Sequence, residues 1–388
     1  MRQQRMLRAS IIRGGTSKGL YINANQLPRD ITLRNKLISR IFGSPDRRQI
    51  DGVGGADLLT SKCCVISQSS REDADIDYDF LQVSIDSDIV SSEINCGNLS
   101  PGAAVFAIRE GMVRAVEPVT TVRIHNVNLQ RVLIAHIPVK DGEPVVDGDY
   151  HIDGVPGTGA EIVMDYSETG GGTTGRLLPL GKATEEIYVE TLGKSIEVSV
   201  VDIGNLAAFF RAEDLGLTGL ELPDEAREKA YRHFACIQNT LAERLRLKEH
   251  NILPFTVMAT EPKDYLSFAG TEVHAEDCDF VVRLVHGPGE MFGPGVMHKA
   301  LPGTVSVATA VCSLLPGSVL NRISKGNPDS GFVRIGHPSG RIVVEASVST
   351  EPEFKVEKAI FSRTVRPIMD GYVMVPESFY RDHIEGDS

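Results

Sequence analysis

The chain has 388 residues, 41% of them hydrophobic, and its 40 basic and 52 acidic side chains give a formal net charge of −12. This length and apolar content suffice for about two domains with sizeable cores. The acidic balance argues against a general nucleic-acid-binding protein, because phosphate contacts need clustered Lys and Arg. The lack of a long apolar run argues against a membrane-spanning helix and a signal peptide.

Cysteines are spread along the chain without a C-x-x-C pair. They are Cys63, Cys64, Cys96, Cys236, Cys278 and Cys312. This spacing argues against a structural zinc site, and the chain is too long and too poor in cysteine for a disulfide scaffold. We therefore expect no bound metal and a reducing, cytoplasmic location.

The predicted elements are mainly strands. Asp30 caps a first helix that runs to Phe42 and ends at Gly43, and a long helix follows Pro223. Alternating or β-branched stretches predict strands at Val122–Ile137, Ile187–Val201, Phe280–Val285 and Phe332–Val348. The 37 glycines and 20 prolines favour a β-rich protein with many tight turns.

Two further segments, Pro101–Glu110 and Pro302–Leu315, consist mostly of small and apolar residues. A helix that is apolar on every face is buried, and we expect each helix to begin at its proline. The two prolines lie 201 positions apart and open the shared pattern P-G-[AT]-[AV]-x-[FV]-A. An offset of about half the chain indicates an internal duplication.

The sequence therefore predicts an α+β fold of two pseudo-symmetric lobes. Each lobe is expected to be a curved, largely antiparallel sheet wrapped around one buried central helix. The predicted lobes are residues 1–188, with the helix near 101–110, and residues 189–388, with the helix near 302–315.

Two glycine-rich stretches look like nucleotide-binding motifs but lack the required context. The pattern G-x-G-x-x-G at Gly170–Gly175 is followed by Pro179 instead of a helix, so we predict a flexible surface loop. Arg13–Gly19 lacks the spacing of a phosphate-binding loop. It is either a plain hairpin turn or a turn whose N–H groups and Lys18 hold a carboxylate.

Asn95-Cys96-Gly97-Asn98 stands just before the first predicted buried helix. The positive end of the helix dipole favours a thiolate at Cys96. Gly97 lets backbone N–H groups approach an anion, and both asparagines add polar contacts. The alternative is a buried, inert cysteine, but the polar residues on both sides favour a reactive cysteine.

Lys62 precedes the apolar strand Cys63–Ile66, and it is either a solvated lysine or a partly buried acid or base. Polar candidates also surround the second predicted buried helix, and each of them taken alone also fits a surface turn. They are His298, Lys299, Gly303, Thr304 and Ser339. Together they supply donors suited to an anionic ligand at a helix N-terminus.

These strings resemble the diaminopimelate-epimerase-like superfamily and, more closely, its branch of methylaconitate and methylitaconate isomerases, the PrpF-like family. The resemblance spans nearly the whole chain. The matching strings are Arg13–Gly19, Ile41–Gly52, Thr60–Lys62, Asn95–Asn98, His125–Asn126, Asp153–Thr158, His298–Lys299, Pro316–Gly317, His337–Gly340 and Met369–Val373.

The resemblance implies a ligand cleft between two lobes and proton transfer without a cofactor on small unsaturated carboxylates. In this branch the Lys of T-S-K and the Cys of N-C-G-N are the catalytic pair, which assigns those roles to Lys62 and Cys96. The racemases and epimerases of the superfamily have a second, opposed cysteine. Our internal alignment has Met297 at that position, which disfavours an α-carbon racemase.

We therefore predict an isomerase for a small polycarboxylate such as aconitate, methylaconitate or methylitaconate. One group removes an allylic proton and the other protonates the far carbon of the allyl unit. The residues predicted to bind the substrate are Ser17, Lys18, Asn95, Gly97, Asn98, His298, Lys299, Gly303, Thr304 and Ser339.

Two alternatives to this isomerase stay open. One is a keto–enol tautomerase of an oxalomesaconate-like acid, and the other is a carboxylate-binding protein without turnover. The sequence also leaves open the substrate, which member of the pair is the acid, and whether the chain forms a homo-oligomer.

Overall fold

The computed structural model describes residues 3–92, 95–247, 252–287 and 295–385. The first elements in chain order are β1 (Gln4–Gly14), β2 (Ser17–Asn23), α1 (Ile31–Phe42), β3 (Lys62–Gln68), β4 (Ile76–Val83), β5 (Val90–Ser91), α2 (Ser100–Arg109), β6 (Val119–Asn126), β7 (Arg131–Lys140), β8 (Glu143–Pro144), β9 (Tyr150–His151), β10 (Thr158–Gly159) and β11 (Ile162–Asp165).

The later elements are β12 (Glu185–Val189), β13 (Lys194–Ile203), β14 (Asn205–Arg211), α3 (Pro223–Arg244), β15 (Phe255–Thr260), β16 (Tyr265–Leu266), β17 (Glu272–Val273), β18 (Phe280–His286), β19 (Val296–Met297), α4 (Gly303–Leu314), α5 (Val319–Ile323), β20 (Phe332–His337), β21 (Gly340–Ser349), β22 (Lys355–Arg363), β23 (Val365–Pro376) and α6 (Glu377–Tyr380). Within the described ranges, no helix is both long enough and apolar enough to cross a membrane.

The chain forms two compact units. Unit 1 consists of Met1–His151, Gly157–Val163 and Arg363–Ser388, and unit 2 consists of Ile152–Pro156 and Met164–Ser362. The C-terminal segment belongs to unit 1 because β23 pairs with β1 along its whole length. The boundary near residue 188 was inferred from the repeat offset, and it stays a prediction.

The strands of unit 1 pair in an order that mixes antiparallel and parallel neighbours. β1 and β2 are antiparallel, β2 and β3 parallel, β3 and β4 antiparallel, β4 and β6 parallel, and β6 and β7 antiparallel. The helix α1 lies between β2 and β3 in the chain, as a crossover between parallel strands requires.

Unit 2 repeats this order of pairings. β13 and β14 are antiparallel, β14 and β15 parallel, β15 and β18 antiparallel, β18 and β20 parallel, and β20 and β21 antiparallel. The helix α3 supplies the crossover between β14 and β15. The repeated order is the topology that an internal duplication produces.

The predicted helices are confirmed. Asp30 caps α1 by accepting a hydrogen bond from the N–H of Leu33, and Gly43 ends it in the left-handed conformation. Ser100–Ile108 of α2 and every residue of α4 are buried. The helix α2 begins at Ser100, one residue before the proline at which it was expected to begin. Pro302 was expected inside the helix, but its extended backbone makes it the N-cap, so α4 begins one residue later at Gly303. The fold is therefore a mixed α+β fold, as predicted.

Candidate active site

The glycine-rich turn between β1 and β2 packs directly against the loop that precedes α2. A Cβ placed on Gly14 would lie 2.3 Å from the backbone oxygen of Asn98. A Cβ on Gly15, whose φ is +49°, would lie 2.7 Å from the side-chain oxygen of the same asparagine. The turn needs glycine because two backbone segments approach each other more closely than a side chain permits.

Lys62 is the first residue of β3, and it is 5% exposed. Its ammonium nitrogen donates to the side-chain oxygen of Gln82 at 2.8 Å and lies 5.0 Å from the centre of the Phe80 ring. A solvated lysine at a strand start was the alternative to a buried acid or base. The structure places the amine in the protein interior.

Cys96 lies in the loop before α2, and it is 6% exposed. Its carbonyl oxygen accepts hydrogen bonds from the Tyr78 hydroxyl at 3.2 Å and from the Ser100 hydroxyl at 3.3 Å. The neighbouring Asn95 accepts a hydrogen bond from the side chain of Asn126 at 2.6 Å. These bonds fix the carbonyl group of Cys96 and the side chain of Asn95.

Cys64 connects the lysine and the thiol in space. It lies two residues after Lys62 in β3, so both side chains point to the same face of the strand. Burial raises the pKa of the Cys64 thiol well above its ordinary value, and its neighbours Cys63 and Cys96 raise it further. The strand face that carries Lys62 is therefore adjacent to the loop that carries Cys96.

Ser17 and Lys18 occupy the start of β2. Ser17 is buried, and its hydroxyl has no hydrogen-bond partner among the described residues. The backbone N–H of Lys18 donates to the carbonyl of Leu59 at 2.9 Å, and its side chain is half-buried. A buried hydroxyl without a partner is costly to maintain. It therefore marks a position where a bound oxygen would be stabilised.

The loop Asn95–Asn98 is held by a side chain that sequence reasoning did not identify. Arg363, the last residue of β22, is buried, and its Nε donates to the side-chain oxygen of Asn98 at 2.9 Å. The amide of Asn98 in turn donates to the Thr16 hydroxyl at 3.0 Å. Gly97 lies in the turn between the thiol and this network. Arg363 lies far from the motif in sequence and has no local signature.

Unit 2 has its own glycine turn against a helix N-terminus. A Cβ on Gly204, whose φ is +66°, would lie 2.6 Å from the backbone oxygen of Thr304. The hydroxyl of Thr304 accepts a hydrogen bond from the side chain of Asn205 at 2.7 Å. Gly303 and Thr304 are both buried in the first turn of α4, and the Thr304 hydroxyl takes part in this packed hairpin–helix contact.

The other predicted polar residues of unit 2 form a second group. The hydroxyl of Ser339 donates to the carbonyl of Lys299, and the N–H of Ser339 donates to the His337 ring at 3.2 Å. The exposed Lys299 lies with its amine 5.5 Å from the centre of the Phe268 ring. The ring of His298 lies 5.2 Å from that of His286.

The position where a second thiol would be expected is filled by a packed side chain. Met297 is 1% exposed in β19, and its N–H donates to the Tyr231 hydroxyl at 3.0 Å. Cys312 lies in the last part of α4, away from its N-terminus. Within the ranges that the structure describes, no three His, Cys, Asp or Glu side chains group as a metal site.

Comparison with known proteins decides the family. The family model described as PrpF protein matches residues 4–376. The chain belongs to this family. It is 42% identical to 3-methylitaconate isomerase of Eubacterium barkeri, over 97% of this chain and 99% of that protein. It is 36% identical to 2-methyl-aconitate isomerase of Shewanella oneidensis, over 95% and 96% of the two chains.

Solved structures show the same relationship. A crystal structure of methylitaconate-delta-isomerase is 41% identical and covers 97% of both chains with a TM-score of 0.78. A hydroxyproline epimerase from Agrobacterium vitis is 14% identical, covers 97% of this chain and 95% of its own, and has a TM-score of 0.58. The second likeness shows the fold alone and confirms the epimerase-like architecture. This PrpF family member is an isomerase.

Proposed function

We propose that this isomerase moves or resets the C=C bond of a small unsaturated di- or tricarboxylate of the aconitate, methylaconitate or methylitaconate class. Lys62 and Cys96 perform the two proton transfers, and the reaction needs no cofactor. The observation that carries the proposal is the burial of these two side chains on adjacent elements of unit 1. The kinds of relatives found support the substrate class.

The chemistry is a 1,3-proton transfer. One member of the pair removes a proton from the saturated allylic carbon, and the electron pair left behind delocalises over the double bond and its carboxylate as a dienolate. The other member delivers a proton to the far carbon of the allyl unit. One proton leaves the substrate and one arrives, so the substrate and product have the same composition and differ in the position or the geometry of the double bond.

The surrounding groups suit a polyanionic substrate. The loop Asn95–Asn98 lies at the N-terminus of α2, where the helix dipole favours negative charge. The unpartnered hydroxyl of Ser17 and the amine of Lys18 offer further donors in unit 1. We assign the carboxylate contacts of unit 2 to His298, Lys299, Gly303, Thr304 and Ser339.

Proton NMR in heavy water tests this function. The substrates offered are cis- and trans-aconitate, methylaconitate, methylitaconate and an oxalomesaconate-like keto acid, each with and without enzyme. We expect one unsaturated acid to isomerise with deuterium at the carbon that receives the proton. The measurement thus reports the turnover, the substrate and the reacting position together.

The alternatives predict different spectra. If only the keto acid exchanges protons and enolises, the activity is tautomerisation and not double-bond isomerisation. Binding that raises the melting temperature without deuterium incorporation into any of the acids would contradict catalysis. The cytoplasmic location and the homo-oligomeric state are proposed on the sequence alone and stay predictions.

A further inference from the structure

The amine of Lys62 has an unusual partner for a buried lysine. Among the described residues, no carboxylate forms an ion pair with it, and the hydrogen bond at 2.8 Å goes to the neutral amide of Gln82. Buried charges are normally paired with an opposite charge, because desolvation disfavours the charged form. The amine of Lys62 is therefore held by a neutral acceptor and not by a negative charge.

Gln82 is locked in one orientation. It lies opposite Lys62 in the antiparallel pair of β3 and β4, and it is 2% exposed. Its NH2 group donates to the carbonyl of Ser61 at 2.9 Å and to that of Leu58 at 3.3 Å. Because both of these partners are acceptors, the NH2 group must face them, and the amide oxygen must face the amine of Lys62.

Two buried titratable groups on and beside this strand, Tyr21 and Cys64, carry no charge. The phenols of Tyr21 and Tyr78 and the thiols of Cys64 and Cys96 surround the strand face and the loop beside it. Burial raises the pKa of both Tyr21 and Cys64 well above their ordinary values, which keeps them protonated. The Phe80 ring contributes a π-face that attracts the ammonium form without a fixed charge.

We infer that Gln82 is a positioning residue that holds the Lys62 amine in place while keeping fixed negative charge away from it. This inference rests on the proposed function of Lys62. An amide oxygen accepts a hydrogen bond from an amine and from an ammonium alike, so Lys62 keeps its position in both protonation states. A carboxylate would bind the ammonium preferentially and would repel an anionic substrate.

Two substitutions test the two parts of the inference. Gln82→Met removes the acceptor with little change in volume, and we expect kcat to fall about 10- to 100-fold with little change in KM, since the amine loses its position. Gln82→Glu keeps the shape and adds charge. We expect the limb of the pH–rate profile that Lys62 sets to move upward by about one pH unit or more, because the carboxylate stabilises the ammonium.

Gln49 provides a matched control in the same region. It is also a buried glutamine, and its side-chain oxygen accepts hydrogen bonds from the Ser61 hydroxyl at 2.7 Å and from the N–H of Ala56 at 2.8 Å. It thus holds the segment that leads into β3, but its amide binds Ser61 and not the Lys62 amine. We expect Gln49→Met to lower the melting temperature while the pH–rate profile of the folded enzyme stays as in the wild type.

The outcomes separate this inference from the proposed function. An unchanged pH–rate profile in Gln82→Glu, or the same kcat loss in Gln49→Met as in Gln82→Met, would overturn the positioning role. Lys62→Met serves as the reference variant. If Lys62→Met is inactive and the Gln82 variants behave as wild type, the proposed function stands and the inference is wrong. If Lys62→Met remains fully active, the proposed function itself is wrong.

Discussion

The N-termini of α2 in unit 1 and of α4 in unit 2 share one architecture. Both helices are buried, and each is approached by the glycine turn of the hairpin that opens the repeated strand order. In unit 1 the turn packs on the loop that carries Cys96. In unit 2 it packs on Thr304, whose hydroxyl is already occupied by Asn205. One architecture thus serves a thiol in one unit and a packed polar contact in the other.

The strands β3 and β15 occupy equivalent places in the two strand orders, and they differ in the same way. In unit 1 Lys62 opens β3 and hydrogen-bonds across to Gln82 in β4. In unit 2 Phe255 opens β15, and its ring lies 4.7 Å from that of His286 in β18. An amine held by an amide in one unit thus corresponds to an aromatic contact in the other. The difference is consistent with our proposal, which places both proton-transfer groups in unit 1 and only polar contacts in unit 2.

The largest expected effect comes from replacing one thiol in each unit, Cys96 in the loop before α2 and Cys312 in α4. We expect Cys96→Ala to lower kcat by about 10²- to 10⁴-fold, the usual contribution of a positioned acid or base. Cys312→Ala in α4 is the matched change, since burial raises the pKa of its thiol to about 12 and leaves it unreactive. We expect that variant to keep its kcat and to lose about 1 kcal/mol of stability.

Steady-state kinetics on the substrate found by NMR, together with thermal unfolding, measure both changes. Near-wild-type turnover of Cys96→Ala would show that the thiol takes no part in proton transfer. A large loss of kcat in a folded Cys312→Ala protein would show that unit 2 takes part in the chemistry, and the contrast between the units would fail.

Most of the fold could be predicted from the sequence because its signals are local. The cap at Asp30, the stop at Gly43 and the two apolar helices follow from residues a few positions apart. The loop at Gly170–Gly175 was predicted to be a flexible surface loop because Pro179 follows the motif in place of a helix, and the sequence did not show the distant partner that holds it. There the N–H groups of Thr173 and Thr174 donate to the buried carboxylate of Asp202, which fixes the loop.

The candidate site could be predicted only in part, because local motifs do not show long-range contacts. Lys62 and Cys96 stand in motifs with recognisable neighbours, so the sequence identifies them as candidates. Gln82 and Arg363 reach the site from separate strands, and their roles depend on strand register and on long-range contacts. In the sequence, Gln82 stands out only as the polar residue of the otherwise apolar run Phe80–Val83. This pattern does not show that its partner is Lys62.

A smaller effect is expected where the glycine turns meet the helices. Gly14→Ala places a methyl group 2.3 Å from the oxygen of Asn98, and Gly204→Ala places one 2.6 Å from the oxygen of Thr304. We expect each to lower stability by about 1–3 kcal/mol. Gly14→Ala should also lower kcat about tenfold by displacing the Cys96 loop, whereas Gly204→Ala should act on KM.

Gly216→Ala is a control that separates the effect of the steric clash in Gly204→Ala from the effect of backbone strain. Gly216 has a φ of +70°, close to that of Gly204, but a Cβ there meets nothing within 4 Å. We expect it to lower the melting temperature and leave both kinetic constants unchanged. A kcat loss in Gly204→Ala as large as that in Gly14→Ala would show that the two turns are functionally equivalent.

The smallest effect is expected at the polar contact of α4 itself. Thr304→Val removes the acceptor of the buried hydrogen bond from Asn205, and we expect a loss of about 1–3 kcal/mol in unfolding free energy with a raised KM and an unchanged kcat. Thr309 is the control, since its hydroxyl donates within the same helix to the carbonyl of Val305 at 2.7 Å. Such intrahelical bonds add little stability, so Thr309→Val should leave both kinetic constants unchanged. If Thr304→Val instead lowers kcat with KM unchanged, the hydroxyl acts in the transition state, and unit 2 contributes to catalysis as well as to binding.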